Sequence, residues 1–248
     1  LSSNNIKCPT PVKNLENKSI GRIKSKSSAL LTFLEGKSIS SIEESHTYEI
    51  GKALAEMHLN VTNFKLEKKN DLSYNGWSDL IELNQKKLNF LEENLYNKLK
   101  KELNRIRDLW PKDLPSGIIH ADLFPDNVLF LNNKVSGLID FYFSCNDFFA
   151  YDLSICINAW CFNKENKFSK EIFRSLLKGY QELKPLTDSE LENLPVLCSG
   201  SALRFLLTRV DNWNSSNEVD IVNYQDPKEF LNRLKFHEQI NNIEDYGL

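Results

Sequence analysis

Apolar positions along this chain recur with two different periods. Between residues 41 and 58 they fall three and four apart, with Ile50, Ala53, Leu54 and Met57 on one stripe, which predicts an amphipathic helix. Ser41, with Glu44 three residues on, supplies a capping box at its start. Residues 79–110 repeat the pattern, with Leu88, Leu91, Leu95, Leu99, Ile106 and Leu109 marking a buried stripe and Lys and Glu a solvated face. That run is too long for a typical helix, so a break is expected near 93–94; Pro111 and Pro115 stop it. Further helices are predicted at 153–162, 169–183, 188–213 and 227–240.

The other apolar runs are of strand length. Residues 19–24 and 29–34 read as two strands around a turn at 24–28. Residues 1–18, polar and broken by Pro9 and Pro11, read as a connector, and 61–76 as irregular. Three more short runs, 117–119, 128–131 and 135–139, end in His120, Asp122, Asn127 and Asp140. Asn132-Asn133-Lys134 is a hairpin signal. Folding that hairpin brings Asn127 and Asp140 to one end of a ribbon, beside Asp122. Two carboxylates and a carboxamide make a hard, oxygen-rich site, suited to magnesium and phosphate rather than zinc. The isolated histidines His46, His58 and His237 are expected to be caps or core partners.

Composition narrows the function classes. The 248 residues can bury a substantial core, and 31 Lys+Arg against 34 Asp+Glu leave a net charge of −3. No basic excess points to nucleic acid, and no apolar run reaches membrane-spanning length; Asn158 interrupts the apolar stretch 154–162. The five cysteines are odd in number and form no C-x-x-C pair, so reduced thiols in a cytoplasmic protein are expected. The chain opens with Leu1 in a polar stretch, a start that suggests a fragment.

The segment GIIHADLFPDNVLFLNNKVSGLIDF at 117–141 carries H-x-D-x-x-x-x-N followed by an apolar strand and Asp-Phe. This resembles the catalytic loop and metal-binding Asp of protein-kinase-like phosphotransferases. Ala121 between His and Asp, with no Arg before the Asp, is similar to the aminoglycoside phosphotransferase/choline kinase branch, which acts on small molecules. The blocks SGLIDFYFSCNDFFAYDL, CINAWCF, ALRFLLTR and EDYGL extend the resemblance over nearly the whole chain from Pro9 and are similar to the kinase-like homoserine kinases.

The resemblance implies an α+β, protein-kinase-like fold. Residues 1–36 would be a truncated β N-lobe with the hinge, and 37–248 a mostly helical C-lobe with the catalytic loop and metal-binding hairpin. It implies that ATP phosphorylates the side-chain hydroxyl of homoserine. Asp122 would orient and deprotonate that hydroxyl, Asn127 and Asp140 would hold Mg2+ on the phosphates, and His120 would brace the loop. Asp152 would support the loop's backbone from below, and Thr32 and Leu34 would lie at the adenine. A zwitterionic substrate asks for a cation and an acid; Arg204 and Arg209 are candidates for its carboxylate, with Asp147 or Asp211 for its ammonium. Other expected readings are a kinase for choline, methylthioribose or an aminoglycoside, and an inactive lobe that serves as a binding module. No Gly-rich phosphate loop and no strand with a buried Lys occurs before Ser19, so weak ATP binding and poor turnover are expected of this chain.

Overall fold

The computed structural model describes residues 6–62, 64–213 and 225–248. Its strands form antiparallel pairs and its helices make the bulk of the packed core. Near the N-terminus β1 (Pro11–Val12) pairs with β4 (Leu30–Leu31), and β2 (Gly21–Ile23) with β3 (Lys26–Ser28). The expected pair of strands at 19–24 and 29–34 is thus redrawn. The chain reverses at Lys24 and Ser25, both with positive φ, so 26–28 is strand rather than turn. The second strand finds its partner at Pro11–Val12, inside the stretch read as a connector.

α1 (Glu44–Asn60) starts two residues later than the Ser41 capping box predicted. Its N-cap is Glu43, whose backbone N–H donates to Nδ1 of His46 at 3.2 Å. Ile42, just before it, packs on the core, which holds residues 41–42 outside the helix. The long periodic run folds as three helices, α2 (Tyr74–Leu83), α3 (Gln85–Leu91) and α4 (Leu95–Leu109). One break falls at Asn94, left-handed at φ 59°, where a break was expected. The other is at Asn84, whose side chain donates back to the Leu80 carbonyl and across to Asp211.

β5 (Ser116–Ile119) follows and pairs with β8 (Cys145–Phe148), while β6 (Val128–Leu131) and β7 (Lys134–Leu138) form the expected hairpin. Asn132 and Asn133 turn it with φ of 51° and 58°, a conformation that asparagine tolerates. α5 (Phe149–Trp160) is buried along its whole length. Around it pack α6 (Lys170–Leu183), α7 (Asp188–Asn212) and α8 (Pro227–His237). Side-chain hydroxyls of Ser169 and Thr187 cap α6 and α7. The end of the predicted 188–213 helix agrees within a residue, and the 227–240 helix stops at His237.

Two helices approach unusually closely. A Cβ on Gly51 of α1 would strike the Leu176 carbonyl of α6, and one on Gly179 would strike the Tyr48 carbonyl of α1. Glycine at both positions lets the two backbones touch. Ile50, Leu54 and Met57 then bury against Phe173, Leu176, Leu177 and Tyr180 in the core cluster that also holds Leu123, Val128 and Leu138 of the catalytic segment. A second cluster joins α2–α4 to β5, β8, α5, α7 and α8. Cys145, Cys156, Cys161 and Cys198 are buried free thiols, and no described helix is long and apolar enough to cross a membrane.

Candidate active site

β5 drives Ile119 into the core and delivers the chain to a sharp corner, where Ala121 takes a φ of 64°. A non-glycine residue in the left-handed region is held there by its surroundings. The holder is Asp152, fully buried in the first turn of α5. Its carboxylate accepts the His120 amide at 2.7 Å and the Ala121 amide at 2.8 Å. Its third partner is Nε2 of His58, at 3.1 Å, and Nδ1 of that ring lies 2.8 Å from the Tyr180 hydroxyl. Burial pushes the Asp152 carboxyl up, but the hydrogen bonds from His58 and the loop outweigh it and hold the group below its ordinary value. Burial keeps His58 below its ordinary value, so its ring is neutral, with Nε2–H donating to Asp152 and Nδ1 accepting from Tyr180.

The His120 ring links the corner to the hairpin. Its Nδ1 accepts the Asp122 amide at 3.3 Å, its Nε2 lies 3.0 Å from the Ile139 carbonyl, and it packs on Phe141. Asn127 closes a short 3-10 turn, Pro125–Asn127, that follows the corner. Its Nδ2 donates to the Asp122 carbonyl at 2.8 Å and to the Asp122 carboxylate at 3.1 Å. Its own carbonyl accepts the Ile139 amide at 3.0 Å. Asp140 follows at once, left-handed at φ 61°. Asp122, Asn127 and Asp140 therefore share one end of the β6–β7 ribbon. Asp122 is pushed up to about 7, first by burial and then by the Asp140 and Asp126 carboxylates, with Arg204 opposing.

Neither the Asp140 carboxylate nor Oδ1 of Asn127 accepts a hydrogen bond from a described residue. Two such oxygen donors at a corner open to solvent fit a hard divalent cation that takes its other ligands from phosphate and water. Among the described residues no cluster of three or more His, Cys, Asp or Glu forms a closed metal site.

The remaining expected site residues divide. Arg204 of α7 is 1% exposed, and its Nη1 donates to the Ala121 carbonyl at 2.7 Å, directly beneath the corner. Its guanidinium lies over Phe205 at 4.7 Å and Phe143 at 5.5 Å. Asp147 sits on β8, opposite Gly117 of β5, and accepts Nδ2 of Asn70 at 2.7 Å. Arg209 and Asp211 are committed elsewhere. Arg209 pairs with Glu229 and the Asp226 carbonyl, and Asp211 accepts from Asn84. Helical spacing separates Arg209 from Arg204 by more than a turn, and α8 captures it.

The Thr32 amide is used within the β1–β4 pair, donating to the Thr10 carbonyl at 3.0 Å. Leu34 lies on β7, where its Cδ1 would stand 2.7 Å from a Cβ on Gly137. Ser136 donates to the Glu35 carbonyl at 2.6 Å, and Lys37 exchanges backbone hydrogen bonds with Phe130. Residues 34–37 are thereby tied to the ribbon that ends in Asn127 and Asp140. His58 is the core partner the sequence led one to expect, but sequence reasoning missed Tyr180 and Asn70. Each works through a contact with a residue far along the chain, and no local pattern announces such a contact.

A scan of family models matches residues 1–186 to the phosphotransferase enzyme family. The chain is 45% identical over all 248 residues to a homoserine kinase of Rhizobium etli and 44% identical to one of Agrobacterium fabrum, spanning 77% of each. Among solved structures, a choline kinase of Cryptosporidium parvum superposes with a TM-score of 0.68 at 14% identity, covering 96% of this chain and 74% of that one. An amicoumacin kinase solved with AMP-PNP and Ca2+ gives a TM-score of 0.67 at 14% identity, covering 99% and 74%. The backbone thus has the protein-kinase-like fold of the choline kinases, and the chain belongs to the phosphotransferase enzyme family, among the homoserine kinases.

Proposed function

We propose that this chain transfers the γ-phosphoryl group of ATP to the side-chain hydroxyl of L-homoserine, giving O-phospho-L-homoserine, in the cytoplasm. The observation that carries the reading is the corner itself. Asp122 is fixed by the Asn127 side chain at 3.1 Å, at the ribbon end that also bears Asp140, in a chain 45% identical to homoserine kinases throughout its length.

Asp122 orients the acceptor hydroxyl and takes its proton as the new P–O bond forms, with the leaving oxygen departing on ADP. Its partly buried carboxylate is poised for that proton. Asn127 Oδ1 and Asp140 would hold Mg2+, which would neutralise charge on the phosphates. Asp152 and His58 keep the loop amides in place, so that Asp122 need not reorganise during the reaction. The backbone near Thr32 and Leu34 receives the adenine. Arg204 is assigned to the acceptor's carboxylate: its Nη1 donates to the Ala121 carbonyl, next in the chain to Asp122, and its guanidinium has no anionic side-chain partner among the described residues.

An assay of ADP release with Mg2+ and ATP, run across homoserine, choline, methylthioribose and an aminoglycoside, tests the reading. The ranking of acceptors is the readout. Homoserine is expected first; a higher kcat/KM for any of the others would overturn the assignment.

A further inference from the structure

Behind the β5–β8 ribbon lies a cavity of about 320 Å³, lined by Asn70, Tyr74, Trp77, Trp110, Asp147 and Tyr151 among others. Two of these side chains are almost wholly buried and carry polar atoms with no partner among the described residues, Nε1 of Trp77 (1% exposed) and the hydroxyl of Tyr151 (0%). Their rings stand 6.4 Å apart. A third buried atom without a well-aligned hydrogen bond is Nε of Arg204, whose guanidinium acts on the Tyr151 hydroxyl both by its charge and as a nearby donor, and on Asp147 by its charge. Native proteins keep few such atoms, and these three lie in one neighbourhood.

Their chemistry has a sign. An indole N–H, a guanidinium N–H and a phenol O–H all donate, and together they call for an anionic acceptor. Asp147, on the same wall, offers the opposite. Its carboxylate accepts from the neutral Asn70 amide and from the Phe148 backbone, and no cationic side chain is bonded to it. Burial holds its carboxyl above the ordinary value, and a cation beside it would offset that cost of burial. Tyr74 and Trp110 add aromatic surface suited to an ammonium group. Clustered donors beside a carboxylate are the complement of a zwitterion.

We propose that this cavity receives the α-amino-acid head of the phosphoryl acceptor, with Asp147 taking the ammonium and Trp77 and Tyr151, backed by the charge of Arg204, taking the carboxylate. The proposal rests on the homoserine reading and deepens it. The ribbon gives the direction: Asp147 lies opposite Gly117, and the strand that carries Gly117 runs on to His120 and Asp122. The acceptor therefore lies along β5, its head at one end and its hydroxyl at the other. Specificity for an amino acid, as opposed to a simple alcohol, resides in this cavity.

Asp147→Asn and Tyr151→Phe test the proposal, each assayed with homoserine and with 4-hydroxybutanoate, which keeps the hydroxyl and the carboxylate but lacks the ammonium. Asp147→Asn is expected to raise KM for homoserine about 10- to 100-fold, leave KM for ATP unchanged, and collapse the preference for homoserine over 4-hydroxybutanoate. Tyr151→Phe removes a hydroxyl whose polar neighbour among the described residues is the Arg204 guanidinium, so a purely structural role predicts unchanged KM and unchanged discrimination between the two acceptors. The proposal instead predicts weaker homoserine binding, roughly tenfold.

Unchanged KM and unchanged discrimination in both variants would overturn it. So would an amino acid whose effect on rate is lost in Asp147→Asn while KM for homoserine stays the same, since the cavity would then be an effector site. Should wild-type protein prefer another hydroxylated amino acid, the homoserine reading fails. Loss of discrimination between that acceptor and its deaminated analogue in Asp147→Asn would still support the cavity's role.

Discussion

His58, at the end of α1, stands 3.1 Å from a carboxylate oxygen of Asp152, and neither side chain is exposed to solvent. The same carboxylate holds the amides of His120 and Ala121. A helix that contributes nothing to the chemistry thus sets the position of the loop that does. His58→Gln is expected to lower stability by about 1–3 kcal/mol, since it disturbs a buried, fully engaged carboxylate. It should lower kcat more than it raises either KM. Urea denaturation with steady-state kinetics checks both; an unchanged kcat would detach α1 from the loop.

Asp122→Asn separates catalysis from folding. The carboxylate is costly to keep charged, as its rise to about 7 records, so the amide should leave the melting temperature equal or higher. Turnover should fall by roughly 10²–10⁴-fold, the range of a positioned acid–base group. Parallel loss of stability and rate would mean that the side chain is structural.

Asp140→Asn and Asn127→Ala should act on the cation. Each is expected to raise the Mg2+ concentration for half-maximal rate by about tenfold or more, and added Mg2+ should partly restore Asp140→Asn. Chelation should stop the wild-type reaction reversibly. Magnesium titrations at fixed ATP give the answer, and a curve unmoved by both substitutions would remove these residues from the metal.

Stability should fall as pH drops from 7 to 5. His58, His120 and His237 are all held below the ordinary histidine value by burial, His237 at about 3. Below about 6.5 the unfolded chain therefore binds protons that the folded chain refuses, which favours unfolding. His237 alone is worth about 2 kcal/mol at pH 5. Asp122 works the other way, because the folded chain takes up its proton between about 7 and 3.8. Asp122→Asn should therefore steepen the acid loss. Melting curves across this range measure the slope, and a flat or rising stability toward pH 5 would contradict it.

Much of this site is local in sequence and so was readable in advance. Asp122, Asn127 and Asp140 lie within nineteen residues of one another, on a hairpin whose Asn132-Asn133 turn is a short-range signal. The helices from 169 onward were equally plain, because their stripes and the Thr187 cap are local too, whereas the helix expected at 153–162 runs Phe149–Trp160 and, buried on every side, carries no stripe to mark its start. The N-terminal strands were harder. β1 and β4 are two residues each, and their pairing spans a connector with no periodicity. The start of α1 went to Glu43 rather than Ser41 because packing of Ile42 outweighed a local capping motif. Arg204 and Arg209 looked alike in sequence; only the placement of Glu229 on α8 tells them apart.

The contact of α1 with α6 at Gly51 and Gly179 has a consequence for how the protein would fail. Tyr180 lies one residue beyond Gly179 and reaches His58, which reaches Asp152, which fixes the corner at Ala121. Adding one methyl group at Gly179 would wedge the helices apart and draw Tyr180 away from the His58 ring. Damage some distance from any reacting atom would then be recorded first as lost turnover, while the chain still folds. In this protein the helix seam belongs to the support of the catalytic loop.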